Sequence, residues 1–420
     1  MIRKALILLL LMTGGVMANA QKYVGGDISM LKKFCEEGAI YKDKNGNAVQ
    51  PLEFFQAQGW NAMRVRLFVD PSKAPADDKK EGVIQDLDYV KALCKDIKDA
   101  GFKLMLDFHY SDTWTDPGQH STPSAWSGLS VEQLTTKVYD YTKDCLQQLK
   151  AVGVTPDFIQ TGNEITTGML WPTGKVNSNG TDTSNGSMKN LAGYLASAIS
   201  ACNEECPQAQ IVIHTEMHYP SALPSFYQRL SQYSDVKYDI IGLSYYPNHH
   251  GPLSTLESTL NTLETQYADK KIMIVETGYG FEWAVGSTYD LSGTWPISEE
   301  GQKSFTIDLI NMLNKHNKVN GLFWWYPEYT LNNIVFKNGS EDWSKNFTAG
   351  YWNAALFHYK TGKALAALYE MKDFVGTSGM LDIRTTTTDN RYYTLDGRML
   401  TGKPTTRGIY IYNGKKVVIK

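Results

Sequence analysis

Eight short apolar runs alternate with helical patterns between residues 23 and 374, and this alternation restricts the fold more than any other feature of the chain. The runs are YVGGDIS (23–29), AMRVRLFV (62–69), KLMLDFHY (103–110), DFIQTGNE (157–164), IVIHTEMH (211–218), IIGLSYYP (240–247), IMIVETGY (272–279) and GLFWWYP (321–327). Helical patterns lie between them, among them 86–101, 130–153 and 299–316, with a last one at 363–374. Strands that alternate with helices imply a parallel sheet. Runs that stay apolar along their length fit strands covered on both sides. The span is the size of a (β/α)8 TIM barrel with long loops. An open doubly wound sheet is the alternative. That fold usually carries a Gly-rich dinucleotide turn after its first strand, and GGDIS is not one.

The two ends read differently. MIRKALILLLLMTGGVMANA (1–20) has a basic start, a short apolar run and Ala18-Asn19-Ala20, the pattern of a secretory signal with its cleavage site. The apolar run is too short to span a bilayer, so residues 21–420 are expected to be exported to the periplasm, cell surface or exterior, and to be monomeric. After Val375 the helical period stops. Residues 376–420 have short alternating segments with turn signals at Asp396-Gly397 and Asn413-Gly414, a small antiparallel β module expected to lean on the barrel (21–375). Export permits disulfides, but the five cysteines are odd in number. Cys94 and Cys145 sit on apolar helical faces as buried thiols, while Cys202 and Cys206 are spaced closely enough to pair. No Cys/His spacing resembles a zinc site. A formal charge of −3 without a basic run argues against a nucleic-acid partner. The 10 Trp and 25 Tyr suit a protein that stacks on sugar rings, although many must be core.

In a (β/α)8 barrel the active site forms at the C-terminal ends of the strands. Standing there are Asp27; Arg64 and Arg66; Asp107, His109 and Tyr110; Asn163 and Glu164; His214 and Glu216; Ser244, Tyr245 and Tyr246; Glu276; and Trp324 and Trp325. Two glutamates therefore end strands four and seven, across the barrel from each other. Opposed carboxylates suit glycosidic cleavage, one as acid and one as nucleophile or base. A separation of about 5–5.5 Å retains anomeric configuration, and ~6.5–9.5 Å inverts it.

The strings DFHYSDTWTDP (107–117), QTGNEITTGMLWP (160–172), GLSYYP (242–247) and VETGY (275–279) resemble glycoside hydrolase family 53, the clan A endo-β-1,4-galactanases. NAMRVRLFVDP (61–71) and WNAALFHYKTGKAL (352–365) fit the same family. The resemblance implies that Glu164 is the general acid/base and Glu276 the nucleophile of a retaining enzyme acting on β-1,4-galactan. Burial and the Glu276 charge should keep Glu164 protonated, and Arg66 should favour ionised Glu276. Tyr245 or Tyr246 should orient Glu276, since strand alternation lets one point inward. Asn163 should hold the sugar 2-hydroxyl and Trp325 should floor the sugar being cleaved. His109, Asp112 and Trp114 should line the groove. Asp27, His214 and His250 complete the expected binding set. Arg64 should pair with a buried acid, and Trp324 should pack outward.

Two departures from the family stand out. Asn248 and His249 occupy the place of an aromatic pair, with His250 and Gly251 restoring the pattern. The loop GFEWAVGSTYDLSGTWPISEEG lacks the Asp- and His-rich cluster that binds calcium in some members. Glu282, Asp290 and Asp342 remain as oxygen donors for a structural calcium, and no cofactor is required. Other readings are a clan A mannanase or β-1,4-glucanase, and a glycan-binding barrel without catalysis.

Overall fold

A computed structural model describes residues 21–334, 351–375, 392–394, 399–400, 403–412 and 415–419. Residues 1–20, expected from their pattern to be a leader, lie outside these described residues, as do Asp342 and both turn dipeptides. Eight parallel strands close into a barrel in sequence order: β1 (Tyr23–Asp27), β2 (Ala62–Leu67), β3 (Lys103–Phe108), β4 (Phe158–Thr161), β5 (Gln210–Glu216), β6 (Ile240–Tyr245), β7 (Lys271–Thr277) and β8 (Val319–Trp325). Closure comes from β1 and β8, which pair from Tyr23 opposite Gly321 to Asp27 opposite Trp325.

The inward row of the barrel changes character along its axis. Its lower layer is apolar, with Ala62, Met105, Phe158, Val212, Ile240, Met273 and Phe323 packed together. Two residues further along several strands the row turns polar, with Arg64, Asp107, Gln160 and His214 all fully buried. Period-2 alternation thus carries an apolar plug at one end and a polar mouth at the other. Outward residues pack on helices. Trp324 is buried, donates its indole N–H to the Ala354 carbonyl and meets the edge of Phe305 on the helix Glu299–Leu313.

Local signals explain the helix starts. Asp86 accepts from the Tyr89 amide ahead of Leu87–Asp99, Ser130 and Gln133 form a reciprocal capping box ahead of Val131–Ala151, and Ser298 caps Glu299–Leu313. One expected helix is shorter than the pattern. Residues 363–365 are extended, with Ala364 bridged to Phe357 and donating to the Lys42 carbonyl, so the helix begins only at Ala366 and ends at Glu370. A 3₁₀ turn, Met371–Phe374, follows.

One compact unit ends at Phe374 and a second begins at Val375. The second carries an antiparallel four-stranded sheet of β9 (Tyr392–Tyr393), β10 (Met399–Leu400), β11 (Gly408–Tyr412) and β12 (Lys415–Ile419), in the order β10-β9-β11-β12. All five cysteines, Cys202 and Cys206 included, are free thiols. Among the described residues no helix is long and apolar enough to cross a membrane.

Candidate active site

The C-terminal mouth of the barrel holds a cleft of about 620 Å³. Glu164 and Glu276 both line it, with Arg66, His109, Trp114, Asn163, Tyr246, His250 and Trp325. Nine residues expected at the site from sequence are therefore brought to one surface.

Chain direction at the end of β4 explains how Glu164 arrives there. Gly162 has φ +96° and Glu164 itself is left-handed at φ 48°, ψ 45°. These two unusual backbones end the strand at Thr161 and turn Asn163 and Glu164 into the mouth. A left-handed non-glycine residue is uncommon and recurs where a site demands a particular orientation. The Glu164 amide donates to His214 Nδ1 at 3.3 Å. That nitrogen is therefore bare, so His214 Nε2 carries the hydrogen and donates to Ser244 Oγ at 2.8 Å.

The surroundings of the two glutamates differ. Glu276 Oε1 lies 2.9 Å from Arg64 Nη1, and its Oε2 accepts from the Tyr246 hydroxyl at 2.9 Å. Glu164 faces no cation among the described residues. Burial, and then the charges of Glu276 and Glu216, push it well above the usual carboxylate range, against the Ser244 hydroxyl. Burial also raises Glu276, with Asp27 and Asp107 adding to it, but the Arg64 charge and Tyr246 hydroxyl oppose the rise. A proton shared between the pair therefore rests on Glu164 and leaves Glu276 ionised.

Arg64 is the hub beneath the cleft. Fully buried, it binds Asp27 and Asp107 at 2.7 Å each and donates to Asn163 Oδ1 at 2.9 Å. Burial works against its charge, but Asp107, Glu276 and Asp27 outweigh that and hold the guanidinium above its ordinary value. The expectation that Arg66 favours ionised Glu276 is thus corrected. Arg66 points to the other side, bound to Asp27 at 2.7 Å and lying against the rings of Trp114, Trp325 and Tyr326. Its Nε and Nη2 are buried without a hydrogen-bond partner.

Four residues of the expected binding set do not line the cleft. Asp27 is buried below it, held by both arginines and Ser29. Asp112 accepts from Ser124 and the Asp70 amide. His214 stands behind Glu164. Tyr245 points away from the cleft, with its hydroxyl on the Gly251 carbonyl. An irregularity in the β6–β7 pairing at Leu243/Ser244 precedes Tyr246, which is the tyrosine that reaches Glu276.

Gln160 and His120 belong to the site without having been singled out from sequence. Gln160 bridges Asp107 and His214 at 2.6 and 2.8 Å. A polar residue within the buried run FIQT, in phase with Phe158, was its signal. His120 hydrogen-bonds the Glu164 carbonyl at 3.3 Å, and its imidazole is pushed down to about 3, chiefly by burial. Nothing in its loop sequence marks it.

Of the three oxygen donors named for calcium, Asp342 lies outside the described residues. Glu282 accepts from the Tyr359 hydroxyl and Asp290 caps its own turn at Ser292. Neither belongs to a cluster of metal-ligand groups among the described residues.

The sequence model of glycosyl hydrolase family 53 matches residues 23–371. A probable arabinogalactan endo-β-1,4-galactanase A of Neosartorya fischeri is 34% identical over 323 residues, covering 74% of this chain and 85% of the relative. The GH53 catalytic domain of Ignisphaera aggregans superposes with a TM-score of 0.71 at 31% identity, over 84% of this chain and 95% of that one. A fungal β-1,4-galactanase does so at 0.68 and 29%, over 84% and 99%. The chain belongs to glycosyl hydrolase family 53.

Proposed function

We propose that the protein is an endo-β-1,4-galactanase that cuts galactan, including the side chains of type I arabinogalactan in pectin, by double displacement. The observation that carries this reading is the pair of glutamates lining one cleft in opposite electrostatic surroundings. Ionised Glu276 attacks the anomeric carbon, while Glu164 gives its proton to the departing glycosidic oxygen. A glycosyl-enzyme ester remains. Glu164, now a carboxylate, takes a proton from water, whose oxygen displaces Glu276 and restores both groups. Arg66, with two unpartnered donors, and the faces of Trp114 and Trp325 hold the retained sugar. Asn163 holds its 2-hydroxyl.

Proton and nucleophile both come from side chains, so the reaction needs no cofactor. The cleft supports a neutral polymer as substrate. Asp78, Glu81, Asp116, Glu164, Glu216 and Glu276 line it, against Arg66 as the one lysine or arginine among its described lining residues. The leader supports export, and the enzyme acts as a monomer. The test is proton NMR of the first products from linear β-1,4-galactan, with mannan, cellulose derivatives and polygalacturonate as controls. The reading expects turnover on galactan alone and release of the β-anomer. Release of the α-anomer, or preference for a control polymer, overturns it.

A further inference from the structure

Glu164 can protonate a glycosidic oxygen only if its carboxyl is aimed at that oxygen, and an unusual backbone sets the aim. The residue is left-handed, at φ 48° and ψ 45°. A residue with a Cβ disfavours that conformation and keeps it only where its neighbours impose it.

Two buried imidazoles grip the two sides of this residue. His214 Nδ1 accepts the Glu164 amide at 3.3 Å, which fixes the peptide plane before Cα. His120 Nε2 meets the Glu164 carbonyl at 3.3 Å. A carbonyl oxygen only accepts, so His120 carries its hydrogen on Nε2 and donates it. That bond fixes the peptide plane after Cα. One plane governs φ and the other ψ, so the two together set the direction in which the side chain leaves the backbone.

His120 is itself held by a seam between the loop after β3 and the loop after β4. Its carbonyl accepts from the Trp171 amide at 2.8 Å, and Thr122 Oγ1 donates to the Trp171 carbonyl at 2.8 Å. Nearer the acid, Thr167 Oγ1 donates to the Pro117 carbonyl at 3.0 Å and Asn163 Nδ2 to the Thr115 carbonyl at 2.7 Å. The imidazole lies against Trp171, with ring centroids 5.6 Å apart. It is 1% exposed and is not among the described residues that line the cleft, so it reaches the substrate only through Glu164. Its charge state suits that task. Burial pushes the imidazole down to about 3, which leaves the ring neutral near neutral pH. A cation this close to Glu164 would favour its carboxylate and weaken the acid. A neutral N–H gives direction without charge.

We propose that His120 is a positioning residue for the general acid: with His214 it clamps the Glu164 backbone from both sides and aims the carboxyl at the glycosidic oxygen. The inference rests on the galactanase reading, in which Glu164 is the acid.

The test uses His120→Phe, which keeps a ring and removes the N–H, and His120→Gln, whose amide nitrogen can stand near the place of Nε2. Both are assayed on linear galactan and on dinitrophenyl β-galactobioside, whose leaving group departs without a proton. For His120→Phe, kcat/KM on galactan should fall by about 10- to 100-fold, the loss that a small misplacement of a catalytic group brings. The burst of phenolate from the aryl glycoside should stay near normal. His120→Gln should recover most of the loss on galactan. Equal slowing of the first step on both substrates marks a merely structural histidine and overturns the proposal. No loss on galactan overturns it too, as does a His120→Gln protein as slow as His120→Phe. One measurement needs neither variant to fold. Long-range proton–nitrogen NMR of the His120 ring in the unaltered enzyme should place its hydrogen on Nε2, and a bare Nε2 overturns the clamp. Failure of the galactanase reading looks different, because the unaltered enzyme then turns over neither substrate, whatever the tautomer.

Discussion

At the scale of single residues, the site is organised by one buried cation and the acids that share it. Arg64 touches Asp27, Asp107 and Glu276, so its charge is compensated several times over. Removing it leaves buried carboxylates without their partner. Arg64→Met should destabilise the barrel by about 3–5 kcal/mol, read as a shift of the urea midpoint. A change below ~1 kcal/mol would mean that the acids are better hydrated than their burial implies. The same network sets the difference between the two glutamates. Part of the rise in the Glu164 carboxyl comes from the negative Glu276 beside it. Glu276→Gln removes that repulsion, so the charged form of Glu164 becomes less costly and its apparent pKa must fall. Titration of the Glu164 carboxyl carbon by NMR in both proteins measures this. An unchanged or higher value would contradict the coupling.

At the scale of elements, the turn after β4 is the critical piece. Gly162 has a positive φ, and a Cβ there would come within 2.7 Å of Ile165 Cγ2. Gly162→Ala should cost about 1–3 kcal/mol in backbone strain and lower kcat on galactan by displacing Glu164, measured by thermal melting and initial rates. Full activity with an unchanged melting temperature would show that the turn tolerates a side chain. Strand order, the barrel and both glutamates were legible because period-2 apolar runs and strand-end carboxylates are local signals. The partners of those glutamates were not. Arg64 and Arg66 share one face of β2, and only the packed barrel decides that Arg64 reaches Glu276 while Arg66 turns to Trp114 and Trp325. The choice between Tyr245 and Tyr246 likewise rests on the pairing of β6 with β7. The extended stretch at 363–365 was hidden because its partner, Lys42, is far away in sequence.

At the scale of the whole molecule, every described residue that lines the cleft precedes Phe374, where the first compact unit ends. Removing residues 376–420 should therefore leave kcat/KM on linear galactan within about twofold of the full chain, a difference of ~0.4 kcal/mol. A folded truncation with collapsed kcat would assign the β module a part in the site. The account as a whole stands on the division of labour between the two glutamates, and the most direct test is the leaving-group dependence of Glu164→Gln. Galactan leaves as a sugar alkoxide and needs a proton, whereas dinitrophenolate does not. The account predicts that the first step on galactan slows by ~10²–10⁴-fold while dinitrophenyl β-galactobioside shows a near-normal burst of phenolate. A slow phase should follow, because Glu164 also activates the incoming water. Equal slowing of the first step on both substrates would contradict the assignment of Glu164 as the acid.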